Sequence, residues 1–325
     1  VLMLCIEGRY LDSLGATAPE CAQILSRYGA YQETGYPSLE AAAAAAQAGD
    51  EILLLANVTL SEELTTPPGI TLNGNGKQIN GSIVAGGDLT IKGHTKATSF
   101  NAGYNQPIIT IGAGACLEIT GTGRMVIGHG ATFIITGTIE DAKTANVADL
   151  TPSLIMPGAS FTGAGVTFNV TNAYINVPSS YCSTKPSEAS GIFDFNITNS
   201  IWESAGKLAF EEATVNAKVD FALLNSVLVT GSHLVFGTAS GEEGVVIDNS
   251  NVNVGTSRQI ENRSTMTVKN GSVVKGSVAT SENAKNPGTL IVDNATYDVT
   301  GDFSGSDLGT GTLIVNKTAN FSAGS

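Results

Sequence analysis

Phe168-Asn169-Val170-Thr171-Asn172-Ala173 (FNVTNA) is followed by a close copy of itself, Phe195-Asn196-Ile197-Thr198-Asn199-Ser200 (FNITNS). The same grammar returns at Phe221 (FALLNS), Val245 (VVIDNS), Met266 (MTVKNG), Leu290 (LIVDNA) and Leu313 (LIVNKT). Each segment reads apolar, any, apolar, any, Asn, small. Apolar residues two apart share one face of a strand. Asn follows as Asn172, Asn199, Asn225, Asn249, Asn270 and Asn294, and Lys317 breaks the column. Asn tolerates the left-handed backbone better than other non-glycine residues, so it suits a sharp bend between strands. Stacked at about 4.8 Å, its amides can also bond along the column.

A recurring period of this kind decides the architecture before any motif does. An interval of about 24 residues is too short for a strand plus a packed helix with its turns, and it fits three short strands. The expectation is therefore an all-β, single-stranded parallel β-helix, a β-solenoid whose coils stack and bury their inward residues in one continuous core. Variation in length falls in turns rich in Ser, Gly, Asn and acidic residues, such as 238–244, 281–288 and 304–311. The first half carries the pattern with Gly at the bend, in Leu89 to Gly93, Leu117 to Gly121 and Phe133 to Gly137, and 112–121 aligns with 128–137 at a shift of 16. Ser38 as N-cap and Gly49 as stop predict a helix over 38–48 that covers the open first coil. The chain divides into an extension, residues 1–36, a candidate attachment or assembly segment, and a rod with its capping helix over 37–325.

With 16 Lys and Arg against 29 Asp and Glu, the formal charge of −13 disfavours nucleic acid as a partner. No apolar run reaches the roughly 18 residues of a spanning helix, so membrane insertion is not expected. Only 14% of residues are charged while 38 are Gly, a composition that points to an extracellular or cell-surface β-protein. Cys5, Cys21, Cys116 and Cys182 lack zinc or redox spacing. A Cys5 to Cys21 disulfide and free, partly buried thiols are both open readings. The chain stops at Ser325 directly after a coil, which leads to the expectation that it continues in a longer protein or that another subunit stacks there.

The opening Ser38-Leu39-Glu40-Ala41-Ala42, then Ala48-Gly49-Asp50-Glu51-Ile52-Leu53-Leu54-Leu55, Ile70-Thr71-Leu72-Asn73-Gly74-Asn75-Gly76 and the Asn column resemble the pectin-lyase-like right-handed parallel β-helix proteins over about residues 36–325. That resemblance implies the right-handed coil. It does not select a function, because the group includes polysaccharide lyases, glycoside hydrolases, phage tailspikes and non-catalytic adhesins.

Hydrolysis would need two carboxylates about 5 to 9.5 Å apart on one side of the rod. Of the polygalacturonase-like motifs, Gly128-His129-Gly130 matches the Gly-His-Gly element, but the paired-Asp motifs are missing and Gly112-Ala113-Gly114 puts Ala at the aligned position. His129 is thus a candidate catalytic residue whose plainer role is a repeated turn. Arg124, Arg258 and Arg263 lack the acidic cluster of a calcium-dependent lyase. Asp298, Asp302 and Asp307 share one Gly- and Ser-rich stretch and form a candidate Ca²⁺ site without the usual spacing. No cofactor is implied. Tyr174, Trp202 and Tyr297 follow the bend, either lining an edge for a glycan or packing under turns. The sequence reading is a non-catalytic extracellular structural or adhesin-like rod, with itself or a surface glycan as partner. The alternatives are a lyase or glycoside hydrolase acting on a uronic-acid-containing glycan, and a virion spike.

Overall fold

The computed structural model describes residues 9–11, 17–19, 22–25, 33–179, 182–210, 217–237, 244–255, 260–277, 288–302, 312–316 and 318–324. The chain winds as a parallel β-solenoid whose coils contribute strands to three faces. On the first face, Ile70, Leu89, Ile109, Phe133, Phe168, Phe195, Phe221, Val245, Met266, Leu290 and Leu313 stand one above another. The seven segments from Phe168 to Leu313 therefore occupy the register their spacing predicts. The second face stacks Leu117, Leu154, Ile175, Trp202, Leu228, Val252, Val274, Tyr297 and Phe321. The third stacks Met125, Ala159, Cys182, Leu208, Leu234 and Ile260.

Inward residues alternate with outward ones along each strand, as in Thr265–Lys269, where Met266 and Val268 are buried between half-buried neighbours. The middle of the core is aromatic. Phe133 and Phe168 stack with ring centres 4.7 Å apart, Phe168 and Phe195 at 5.7 Å, and Phe161, Phe210, Phe221, Phe236 and Trp202 close around them. Repetition at one height per coil makes identical rings neighbours, and offset or tilted pairs add stabilisation beyond area burial.

The shift of 16 in the first half is not a coil. Ile109 pairs with Phe133 and not with Met125, which belongs to the third face. Leu117 lies on the second face, against Thr95 and Leu154. Strands of different faces share the apolar pattern because all obey the same inward alternation.

The helix runs Leu39–Ala45, with the Ser38 side chain accepting from the Ala41 N–H as N-cap. It ends short of the stop that Gly49 predicts. Gly49 instead takes φ +93 in the turn entering the first coil and donates its N–H to the Gly69 carbonyl. Leu39, Ala42 and Ala43 are buried in the solenoid core. Beside the helix, Ala22–Leu25 pairs antiparallel with Glu33–Tyr36 and with Glu51–Leu54, so strand and helix together cover the edge of the first coil. Arg9–Leu11 and Thr17–Pro19 form a separate antiparallel pair. No helix among the described residues is long and apolar enough to cross a membrane.

Candidate functional site

The corner after the first face is the most ordered chemical feature of the rod. Asn172, Asn199, Asn225, Asn249, Asn270 and Asn294 all have left-handed backbones, φ between +45 and +55. Their amides bond in pairs: Asn199 Nδ2 donates to Asn172 Oδ1 at 2.9 Å and Asn249 Nδ2 to Asn225 Oδ1 at 2.7 Å. Asn270, which follows Lys269, the register partner of Asp248, donates instead to Asp248 Oδ1 at 2.7 Å.

Directly inside this corner runs a second column, which the sequence shows only as small residues. Ser200, Ser226, Ser250 and Ser272 are fully buried. Each Oγ accepts the N–H of the residue one coil earlier, from Ala173, Ser200, Ser226 and Ser250 in turn, all at 3.0 Å. Each hydroxyl also donates to a carbonyl of its own corner at 2.6–2.7 Å. These buried hydroxyls and amides are thereby paired, which the low-dielectric interior demands. Gly271 is an inserted residue, so Ser272 and not Gly271 fills this column.

The coil from Phe133 to Phe168 is the longest along the first face, and its excess forms a loop, residues 137–153, that lies along the corner. Asn199 Nδ2 donates to the Ile139 and Glu140 carbonyls at 3.0 Å, and its Oδ1 accepts the Ala142 N–H at 2.9 Å. Farther along, Lys143 Nζ reaches Asn249 Oδ1 at 2.7 Å, joining positions far apart in the chain. Ile139 and Ala142 pack with the outward Tyr174 and Ile201 in a small cluster separate from the main core. Tyr174 Oη donates to Glu203 Oε2 at 2.7 Å, and burial, then that carboxylate, hold the phenol well above its usual range.

His129 sits in another left-handed turn. Its φ is +54 and that of Gly130 +77, like Asn75–Gly76 and Asn270–Gly271. The His129 N–H donates to the Thr162 carbonyl at 3.2 Å, and the imidazole lies against the exposed Tyr104 ring with centres 4.3 Å apart. A Cβ on Gly163 would fall 2.5 Å from His129 Nδ1, so the bare glycine makes room for the ring.

Cys116 and Cys182 are free and buried, and burial pushes both thiols up to about 12. Cys5 and Cys21 lie outside the described residues, as does Asp307. Asp298 is the register partner of Lys275 on the second face. Among the described residues no group of three or more His, Cys, Asp or Glu could hold a metal ion. Tyr174, Trp202 and Tyr297 do not form an exposed edge. Trp202 is wholly inside the core, Tyr297 stacks on Phe321 with ring centres 5.7 Å apart, and Tyr174 lies under the loop. Arg263 is held by Glu261 at 2.6 Å.

One carboxylate pair has no counterpart among the motifs of the sequence. Asp194 and Asp220 are register partners on adjacent strands of the first face. Burial raises the Asp194 carboxyl above its ordinary value, with the Asp220 charge acting the same way and a hydrogen bond from Asn196 opposing both. The sequence hides such a pair because its members lie on successive coils and meet only through register. Comparison with known protein families, with curated proteins and with solved structures returns no match.

Proposed function

We propose that this chain is a non-catalytic extracellular rod, a surface structural or adhesin-like protein of the pectin-lyase-like kind, that associates with copies of itself by stacking. The observation that carries this reading is the use made of its polar residues. The six corner Asn and His129 occupy left-handed turns, and the Ser column is consumed in backbone hydrogen bonds. These residues serve the coil, where a hydrolase of this architecture would turn carboxylates into a groove. Stacking is the mode of association that a repetitive parallel coil offers, since each coil pairs strand to strand with the next, as Thr289–Asp293 does with Thr312–Val315. The strand groups of such a coil are a template for further strands wherever an edge is left unpaired.

Sedimentation and electron microscopy over a concentration series test the stacking: rods that lengthen with concentration are expected, and a strict monomer at every concentration overturns it. Incubation with pectins and uronic-acid polymers tests non-catalysis. The second reading, glycan hydrolysis, has Asp194 and Asp220 as its carboxylate pair, because they are register partners on adjacent strands and Asp194, raised by burial, suits the role of acid. Polymer cleavage lost in Asp194→Asn would establish it, and cleavage lost in His129→Ala would restore His129 as a catalytic residue.

A further inference from the structure

Between the loop 137–153 and the rod lies a cavity of about 150 Å³. At the ~30 Å³ that a water occupies in the liquid, this is room for about five waters, or one small polar molecule. Gly137, Thr138, Asp149, Thr151, Asn172 and Tyr174 line it. Gly137 presents bare backbone. Thr138, Asp149 and Thr151 are exposed and form the rim, and Tyr174, largely buried, forms an inner wall.

The hydrogen-bonding capacity left over defines what fits. Tyr174 Oη is already engaged with Glu203, so its part in the lining is the ring. Asn172 Oδ1 is occupied by Asn199, so its amide N–H₂ is the available donor. Asp149 accepts from Asn146 through Oδ2 at 2.8 Å and keeps Oδ1 for another donor. Two threonine hydroxyls serve as either partner. The lining thus has one acidic side chain, no cationic side chain, a mixture of donors and acceptors, and an apolar part made by Ala115, Ile139 and Leu150 beside the aromatic wall. Anions are repelled by Asp149, and apolar ligands would strand the polar groups. A molecule whose every group both donates and accepts satisfies the set.

We propose that this cavity binds one edge of a single neutral sugar ring, the rest lying in solvent beyond the exposed rim, as a free monosaccharide or as the terminal residue of a glycan. Sugar binding here does not depend on the rod being a surface scaffold, since the pocket is formed within one chain. Its small size, below the usual range of ligand pockets, places the expected affinity in the millimolar range.

Saturation-transfer NMR and calorimetry on the full chain, with glucose and galactose as probes and glucuronate and glucosamine as comparators, test it. Millimolar binding of at least one neutral sugar is expected, with glucuronate about tenfold weaker or more. Thr151→Trp, a substitution at an exposed position on the rim, should abolish the signal, and Thr138→Trp, also on the rim, gives an independent plug if the first disturbs folding. Asp149→Asn should bring glucuronate closer to the neutral sugars. Absence of any response at about 100 mM sugar, binding unaffected by both plugs, or binding of glucosamine alone, which would mark an amine site, overturns the proposal.

Discussion

The two halves of the rod turn the same corner with different residues, and for different reasons. At two coils before residue 140 the corner after the first face carries Gly93 and Gly137, and from Asn172 to Asn294 it carries Asn, with Ser directly beside it in three of six coils. Gly93 is left-handed, φ +59, so its role is the one Asn plays later. Gly137 is not among the left-handed residues. A Cβ there would sit 2.2 Å from the Asn172 carbonyl oxygen and 2.6 Å from Ala173 Cα, so this glycine permits close approach of the next coil. One letter in a sequence thus covers two physical demands, and only one of them can be met by Asn.

The sharpest way to break that comparison is to transplant the later corner residue into the earlier half. Gly137→Asn forces the backbone of the adjoining coil to move and should cost about 3 kcal/mol or more, at the upper end of overpacking penalties. Gly93→Asn meets only the Asn73 side chain at 2.6 Å, which must give up its bonds to Glu51 and the Asn75 N–H to move, and should cost about 1–2 kcal/mol. Urea midpoints, with the denaturant slope checked for constancy, separate the two. Equal costs would dissolve the distinction.

Within the later half, Ser226→Ala removes the acceptor of the buried Ser200 N–H and should destabilise by about 1–3 kcal/mol. Slowed exchange of the Ser200 amide in the wild type, lost in the variant, is the local signature. Asn249→Ala should cost about 1–2 kcal/mol because alanine resists the left-handed backbone, whereas Asn249→Gly relieves that strain and should cost less. If the two variants cost the same, the amide bonds to Asn225 and Lys143, which both remove, outweigh the backbone preference.

The smallest effect concerns pH. Because the folded Asp194 carboxyl is raised, its ionisation opposes folding: stability from this group is full below its ordinary value of 3.8 and is lost as pH rises through the raised value. Asp194→Asn should flatten that part of the stability profile and leave the variant relatively more stable at neutral pH. An unchanged slope would show that burial beside Asp220 does not perturb Asp194.

Much of the fold was legible because its rule is local. Alternation placed Phe168, Phe195 and Phe221 inward, and the spacing between them is the coil. The Ser column was partly legible, since Ser200, Ser226 and Ser250 follow their Asn, but Gly271 displaced Ser272 by one and masked the series. The false shift of 16 arose because strands on different faces share one apolar pattern. The candidate site was less legible. The long coil after Phe133 signals an insertion, yet nothing in residues 137–153 tells that Lys143 meets Asn249.

What the sequence determined by itself is the winding: an inward pair, then a residue tolerant of positive φ, at intervals that vary only in the turns. Those are properties of a residue and its immediate neighbours, so one chain read in order displays them. Which outward side chains become neighbours was decided by the tertiary structure alone. The pairing of Asp194 with Asp220, the loop across the amide corner and the cavity beneath it all depend on how many residues each intervening coil contains, a sum over turns that no single segment encodes.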